Sequence, residues 1–261
     1  QPKVSIIIAT YNKPHLLAKR SVPSILRQRY SNFECIIVDD GSTDNTPEVM
    51  EELRKQDNRI KIFRFPQNKG AAAAFNYGIK QSTGEYIAFL DHDDEYSSDF
   101  LEKTIMKIIN LPRNIGAVGC GVIQIDEKNG KRSYVVPPAN TSFYLALADG
   151  WLFKREVFFQ NNLFLDEELS ACADTDLGLR FFEIYQIIVV AQPLLKKYIR
   201  SNIFDRDGLS TVSEKRLLEW KKFLAKNLSK FEAKGDKKEL TFILRQAGRN
   251  FVLGGYKTEG L

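Results

Sequence analysis

The sequence has few of the residues that build disulfide frameworks or histidine-rich metal sites. Its three cysteines, Cys35, Cys120 and Cys172, are widely spaced and include no CxxC pair, which favours free thiols in a reducing, cytoplasmic compartment. Two histidines in 261 residues are too few for a histidine-rich zinc site. No apolar run approaches the roughly 20 residues of a membrane span. An apolar content of 43% is sufficient for a globular core.

The net charge of +5 is concentrated near the C-terminus. Residues 212–261 contain twelve Lys or Arg and six Asp or Glu, so the remainder is close to neutral. Amphipathic basic helices are predicted at 214–231 and 237–251. Their apolar sides either pack on the rest of the protein or make a peripheral contact with an anionic membrane at its inner face. Aromatic residues are too sparse among the basic ones to indicate a nucleic-acid partner.

The first 115 residues alternate between strand and helix patterns. Strands are predicted at "KVSIIIAT", "FECIIVDDGS", "IKIFRF" and "EYIAFL", with a helix pattern after each. This alternation predicts an α/β fold with a mostly parallel, Rossmann-like central sheet and helices on both faces. Ligands in such sheets bind at the carboxyl ends of the strands. Three strands end in the polar clusters "TYN", "DDGS" and "DHDD", which we therefore expect at one edge of the sheet.

The acids that follow the fourth strand are candidates for a metal site. Asp91 and Asp93 form a D-x-D pair directly after the apolar run 86–90. In an extended segment this spacing points both carboxylates the same way, and carboxylate oxygens suit Mg²⁺ and Mn²⁺. The alternative is a solvated turn whose acids cap the next helix near Ser98.

Two further polar segments each have a functional and a structural interpretation. Asp40, at the end of the second strand, can accept the imide N–H of a uracil or thymine base or the N1–H of guanine, or it belongs to a plain turn. Asn68 and Gly70 precede an Ala-rich helix, as in a loop that cradles phosphate. Alternatively, Gly70 simply allows the turn. The segment lacks both the P-loop and the dinucleotide-binding patterns.

A third cluster of acids lies in "ACADTDLGLRF". Asp176 and Arg180 are four residues apart, the spacing of a helical ion pair. Asp174 has no such local partner in the sequence. On the residues alone, Asp174 is either a surface acid or a functional carboxylate.

Five segments together resemble a known family. In order along the chain, "VSIIIATYN", "CIIVDDGSTDNT", "NKGAAAAFNYG", "GEYIAFLDHDDEY" and "DTDLGLR" are similar to the family 2 inverting glycosyltransferases with the GT-A fold. The resemblance is collinear from Val4 to about Arg180, and "YIRSNIFDRDGLS" looks like the family's late basic loop. It implies a nucleotide-sugar donor, usually a UDP-sugar, and a divalent cation, Mn²⁺ or Mg²⁺. The Q-x-x-R-W signature of processive members is absent, so a single sugar addition is expected.

The resemblance also implies a role for individual residues. Asp174 matches the general base, Asp93 the direct metal ligand, and Asp91 the acid that faces the ribose and the metal. The remaining matched positions are assigned to the nucleotide-sugar (Thr10, Tyr11, Asp40, Asn68, Gly70) and to the acceptor pocket (Gly150, Trp151).

The resulting prediction is a GT-A catalytic domain over residues 1–211 followed by a basic helical extension over 212–261. Within the domain, 1–115 is the nucleotide-sugar half and 116–211 the acceptor half. The predicted activity is transfer of a hexosyl or N-acetylhexosaminyl group to a hydroxyl of a glycan or lipid-linked acceptor in polysaccharide biosynthesis. The alternative is a non-catalytic nucleotide-sugar-binding module of a larger glycan-assembly complex. A sugar nucleotidyltransferase is disfavoured, because "ATYNKPH" is not a glycine-rich triphosphate loop.

Overall fold

A sheet with helices on both faces forms the body of the protein. The computed structural model describes residues 1–137, 149–169, 172–199, 218 and 221–227. Nine strands lie within these residues: β1 Val4–Thr10, β2 Phe33–Asp39, β3 Ile60–Arg64, β4 Tyr86–Phe89, β5 Glu95–Tyr96, β6 Ile115–Asp126, β7 Arg132–Val135, β8 Trp151–Lys154 and β9 Gln186–Ile199. The helices are α1 Pro14–Leu16, α2 Val22–Leu26, α3 Thr46–Gln56, α4 Ala71–Gln81, α5 Phe100–Ile108, α6 Glu156–Gln160 and α7 Ala173–Phe182, with a π-helical segment, Leu17–Ser21, between α1 and α2.

The strand order is β3-β2-β1-β4-β8-β6-β9-β5, with β7 paired to β6. Strands β1 to β4 pair in parallel, as the alternating sequence pattern predicts. Strand β8 lies antiparallel between β4 and β6, which makes the sheet mixed. The predicted α/β fold class is confirmed. Parallel pairing also occurs outside the first 115 residues, between β6 and β9.

Alternate residues of the central strands build a core on each face. On β1, Ile7 contributes to the cluster beneath α4, α6 and α7, whereas Ile6 and Ile8 contribute to the cluster beneath α2, α3 and α5. Because successive side chains of a strand point to opposite faces, a strand covered on both sides is buried at every position. All seven residues of β1 are buried.

Glu34 lies near the amino end of β2, opposite the carboxyl ends of the strands that carry the polar clusters. Its carboxylate accepts hydrogen bonds from Ser5 Oγ at 2.6 Å and from Thr83 N at 2.8 Å. The ammonium groups of Lys3 and Lys61 lie 2.9 and 2.7 Å away. Although burial opposes ionisation, these partners hold the pKa of Glu34 well below its usual range. The charged form of Glu34 therefore stabilises the fold.

We expect Glu34→Gln to lower the free energy of unfolding by roughly 1–3 kcal/mol, because buried hydrogen bonds to a charged acceptor are lost. Since the folded-state pKa is depressed, this contribution is fully present above the unfolded pKa near 4.3 and is lost as the pH falls below it. Urea unfolding at pH 7 and pH 3 measures the difference. Glu51→Gln is the control: Glu51 is 45% exposed and pairs with Arg54 at the surface. Equal shifts for both variants would contradict the role of Glu34.

The three cysteines are buried in the two cores. Cys35 lies on β2, Cys120 on β6, and Cys172 is the residue before α7. Burial raises the pKa of both Cys35 and Cys120 to about 12. These two thiols are thus uncharged and shielded in the folded protein.

Part of the predicted C-terminal extension belongs to the described residues. Residue 218 and residues 221–227 are helical. Phe223 is fully buried in the core beneath α7, and Leu224 packs against the same cluster. The remainder of 214–231, the predicted helix 237–251 and most of the late basic loop lie outside the described residues. Among the helices that are described, none combines the length and apolar character needed to cross a bilayer.

Candidate active site

The carboxyl ends of β1, β2 and β4 meet at one edge of the sheet. Thr10 is paired with Asp39, and Ile7 is paired with Phe89, so the segments that follow these strands emerge side by side. The expectation that the "TYN", "DDGS" and "DHDD" clusters converge is confirmed by this register.

The end of β1 carries an exposed tyrosine ring next to a buried threonine hydroxyl. Tyr11 is 41% exposed, while Thr10 is buried and its Oγ1 has no hydrogen-bond partner among the described residues. Asn12 adopts a positive φ of 51° and connects this turn to the β2 end, donating from its N–H to Ser42 Oγ at 2.9 Å. The result is a fixed turn with a flat aromatic surface facing outward.

Asp40 ties the end of β2 to the start of α4. Its two carboxylate oxygens accept hydrogen bonds from the N–H groups of Lys69 and Gly70, at 2.7 and 2.9 Å. Burial raises the pKa of Asp40. Gly70 has a φ of 96°, which disfavours any other residue type, and Asn68 is exposed next to it. The structure thus brings Asp40, Asn68 and Gly70 together, and their contacts with a nucleotide stay a prediction.

The loop after β4 gathers three carboxylates. One oxygen each from Asp91, Asp93 and Asp94 lies within 4.8 Å of the others. Among the described residues, none donates a hydrogen bond to the Asp93 carboxylate, although Arg20 Nη1 donates to the Asp93 main-chain oxygen at 3.3 Å. A partly exposed carboxylate to which no described residue donates, with two others beside it, fits a hard divalent cation.

Sequence reasoning missed two members of this cluster, Asp149 and Lys197. Lys197 Nζ lies 2.6 Å from Asp149 Oδ2, 3.1 Å from Asp94 Oδ2 and 3.4 Å from Asp91 Oδ2. Asp149 also accepts the N–H of Asp91 at 3.0 Å through Oδ1. Asp149 lies two residues before β8, and Lys197 is near the end of β9. No local motif marks either residue, because the sheet topology alone brings them to this edge.

The charged groups in this cluster shift one another's pKa values. Burial raises the pKa of Asp94 to about 6. Burial and the charge of Asp91 raise the pKa of Asp149 well above its ordinary value. Burial alone would lower the pKa of Lys197, but the surrounding carboxylates, Asp149 foremost, raise it. The cluster therefore carries less negative charge at neutral pH than its four carboxyl groups would have in water.

The end of β9 fixes the acidic loop through further contacts. Tyr198 donates its N–H to Asp94 Oδ1 at 2.9 Å and its hydroxyl to Glu95 Oε1 at 2.8 Å. Arg20, on the π-helical segment, stacks over the Tyr198 ring at 4.0 Å and pairs with Glu127 at 2.7 Å. Together with the hydrogen bond from Arg20 to the Asp93 main-chain oxygen, these contacts hold the backbone of the acidic loop.

Asp174 lies in the first turn of α7 and is partly buried. It accepts the N–H of Thr175 at 2.7 Å. Burial raises the pKa of Asp174 to about 6, and the charge of Asp91 adds to the shift. The predicted ion pair between Asp176 and Arg180 is confirmed, at 2.8 Å. Asp174 is thus a carboxylate whose proton affinity suits proton transfer near neutral pH.

The helical residues 221–227 support α7 from outside. Lys226 Nζ lies 3.0 Å from Asp176 Oδ1 and 2.6 Å from Asp166 Oδ2, and Asn227 donates to Asp176 at 3.4 Å. This helical segment therefore engages Asp176, two residues after Asp174.

The two predicted acceptor residues lie at the start of β8: Gly150 precedes the strand and Trp151 is its first residue. Gly150 has a φ of 77°, and a Cβ there would lie 3.2 Å from Leu195 and 3.3 Å from the Cys120 sulfur. Trp151 is 2% exposed, and its ring lies against Gly119, where any Cβ would collide with it. Trp151 is a core residue in this structure. Its contact with an acceptor stays a prediction.

Comparisons of the sequence with known proteins point to a single family. Residues 5–185 match the profile described as "Glycosyl transferase family 2". An uncharacterized glycosyltransferase of Haemophilus influenzae is 36% identical over 153 residues, which cover 59% of this chain and 60% of that protein. The match thus spans about three fifths of the length of this relative.

Two solved structures share the fold. S. aureus TarS 1-349 in complex with UDP-GlcNAc superposes with a TM-score of 0.70 and 20% identity, covering 99% of this chain and 74% of the other. The mannosyltransferase PcManGT of Pyrobaculum calidifontis, in complex with GDP-Man and Mn²⁺, gives 0.67 and 19%, covering 100% and 76%. At these identities the likeness establishes the architecture alone.

Proposed function

The chain belongs to glycosyl transferase family 2, and on that premise we propose that it transfers a sugar from a nucleotide-sugar donor to an acceptor hydroxyl with inversion at the anomeric carbon. One observation carries the proposal. The carboxyl edge of the sheet presents the exposed ring of Tyr11 and the Asp93 carboxylate, to which no described residue donates. Helix α7 carries Asp174, whose pKa is raised to about 6 by burial and by the charge of Asp91. These are the three parts that a metal-dependent displacement at a sugar requires.

We assign the nucleotide to the ends of β1 and β2. Tyr11 offers a surface on which a base stacks, and Thr10 and Asp40 lie beside it as hydrogen-bonding groups. A UDP-sugar is the first candidate, because a buried carboxylate is suited to accept the imide N–H of uracil. In support, TarS has been solved with UDP-GlcNAc and PcManGT with GDP-Man. We propose a hexosyl or N-acetylhexosaminyl donor.

Tyr11→Ala is expected to raise the donor KM roughly 10- to 100-fold, the usual cost of losing a stacked base, with little change in kcat. The contact exists both before and during reaction, so its loss weakens binding of the donor in the ground state and in the transition state alike. Initial rates at varied donor concentration measure the effect. Tyr134→Ala, which removes an exposed tyrosine from β7, is the control. An unchanged donor KM in the Tyr11 variant would place the base elsewhere.

The divalent cation, Mn²⁺ or Mg²⁺, is assigned to Asp93 with support from Asp91. When bound, such an ion stabilises the negative charge that grows on a departing diphosphate. The chain's own contribution is to hold the acidic loop, because Arg20 donates to the Asp93 main-chain oxygen and Tyr198 donates its N–H to Asp94. In support, the PcManGT complex contains Mn²⁺.

Asp174 is proposed as the base that takes the proton of the acceptor hydroxyl. The Thr175 N–H holds one of its oxygens, which leaves the other for the acceptor. The acceptor is proposed to be a glycan or a lipid-linked sugar, in polysaccharide biosynthesis at the cytoplasmic side of a membrane. Contact with that membrane through the basic extension is a separate prediction, since most of the extension lies outside the described residues.

Thermal shift with UDP-, GDP- and dTDP-sugars, with and without Mn²⁺, tests donor binding and identifies the base. Release of the nucleoside diphosphate in the presence of candidate acceptors then tests transfer. The proposal expects a Tm rise with one donor class in Mn²⁺, followed by acceptor-dependent release. Binding without release across the acceptor panel would instead support the non-catalytic module.

A further inference from the structure

Lys197 is placed unlike the lysine next to it. Its side chain is 18% exposed, and its ammonium lies within 3.4 Å of carboxylate oxygens from Asp91, Asp94 and Asp149. Lys196 is 48% exposed and pairs with Glu95 at the surface, at 3.3 Å. Two adjacent residues of identical chemistry thus have opposite environments.

An irregularity in β9 decides which lysine faces inward. After an early shift between Ile115 and Ala117, the pairing with β6 is regular from Ala117 with Ile187 to Cys120 with Val190. It then shifts again, so that Gly121 pairs with Pro193 and Val122 with Leu195. Since side chains alternate along a strand, extra residues at such a shift change which face each later residue occupies. Leu194 and Leu195 are both buried after it. The irregularity therefore sets Lys197, rather than Lys196, over the acids.

A cation at this position changes what else the acids can hold. Asp94 and Asp149 are buried and already engage the ammonium. A second cation would have to approach a fixed positive charge at short range, where repulsion in a partly buried site is strong. Asp93 is the member of the cluster that Lys197 does not contact within 4 Å.

We propose that Lys197 is the built-in counter-ion of Asp91, Asp94 and Asp149, and that it keeps the affinity of the free protein for divalent cations low. The cation then binds firmly only when an anionic diphosphate supplies further oxygen ligands beside Asp93. This ordering rests on the proposed function, whereas the role of Lys197 as counter-ion does not. Lys197 is a positioning residue, because it acts on the cation through the carboxylates.

A titration of the full chain with Mn²⁺ alone, without nucleotide, tests the inference. Calorimetry at pH 8 measures the affinity. Lys197→Met keeps the length of the side chain and removes its charge, so we expect Mn²⁺ to bind at least about tenfold more tightly than in the wild type. Lys197→Arg keeps the charge and should bind as weakly as the wild type. Lys196→Met is the matched control and should not change the affinity.

A second variant covers the case in which Lys197→Met does not fold. Lys197→Met combined with Asp149→Asn removes one positive and one negative charge, and its Mn²⁺ affinity should match the wild type. Unchanged affinity in folded Lys197→Met, or tight binding in the double variant, would overturn the inference. Because the ligand is the metal alone, these outcomes do not depend on sugar transfer. A chain that transfers no sugar would still show the difference between the two lysine variants.

Discussion

Asp174→Asn is expected to reduce sugar transfer by roughly 10²- to 10⁴-fold, the scale of losing a general base, while donor and metal binding stay near the wild-type values. Asparagine has the size of aspartate and can still accept the Thr175 N–H, but it has almost no basicity. The loss should therefore appear in kcat and in kcat/KM alike. Single-turnover transfer with saturating donor and Mn²⁺ measures it.

The pH profile separates this role from a structural one. Because burial raises the pKa of Asp174 to about 6, the free base, and with it kcat/KM, should increase with pH through that region and level off above it. The Asn variant should lack this rise. Asp176→Asn is the matched control: Asp176 is buried against Arg180 and Lys226, so its loss should lower Tm more than it lowers kcat. Near-wild-type transfer by Asp174→Asn would assign the base to another group.

Asp93→Asn should abolish most metal-dependent donor binding, with an expected loss of at least roughly 10²-fold, given the several kcal/mol that a bound cation contributes to charge stabilisation. Among the described residues Asp93 has no side-chain donor, so its replacement breaks no contact and the fold should be unchanged. Donor titration in Mn²⁺ and in EDTA measures the effect.

The control for this prediction is Asp99→Asn. Asp99 follows the same loop but pairs at the surface with Arg29 and Lys103, so its variant should bind donor normally in Mn²⁺. If Asp93→Asn keeps full activity in a Mn²⁺ buffer, the metal site is not at Asp93.

Strands β1 to β4 and the polar residues at their carboxyl ends could be predicted from the sequence, because each strand and its polar residues are adjacent in the chain. Each run such as "FECIIVDDGS" contains its strand and the polar residues that follow, and parallel pairing then places those residues together. The pairing of Asp176 with Arg180 is also local, since i and i+4 adjoin on any helix. Periodicity and turn signals suffice to predict contacts between residues that are close in the sequence.

The contributions from β8 and β9 were not predictable in this way. The pattern of residues 147–160 predicts a partly helical segment, and Glu156–Gln160 are helical, but Trp151–Lys154 form a strand. Short apolar runs do not distinguish a strand from a helix. Strand β9 contains Pro193, which ordinarily argues against a strand interior, and the pairing irregularity accommodates it. Because these strands bring Asp149 and Lys197 to the acids from 58 and 106 positions away from Asp91, long-range pairing decided the composition of the site.

The three buried thiols are placed so that their rates of alkylation can report local opening of different parts of the protein. Cys35 and Cys120 lie in the middle of the sheet, whereas Cys172 is the residue before the helix that carries Asp174. Regions of a protein open with different free energies, and sheet interiors open last. Alkylation at Cys172 that outpaces alkylation at the other two would therefore measure how often the start of α7 detaches while the sheet stays closed. Donor binding that slows alkylation at this one position would reveal coupling between the nucleotide edge and the helix of the base.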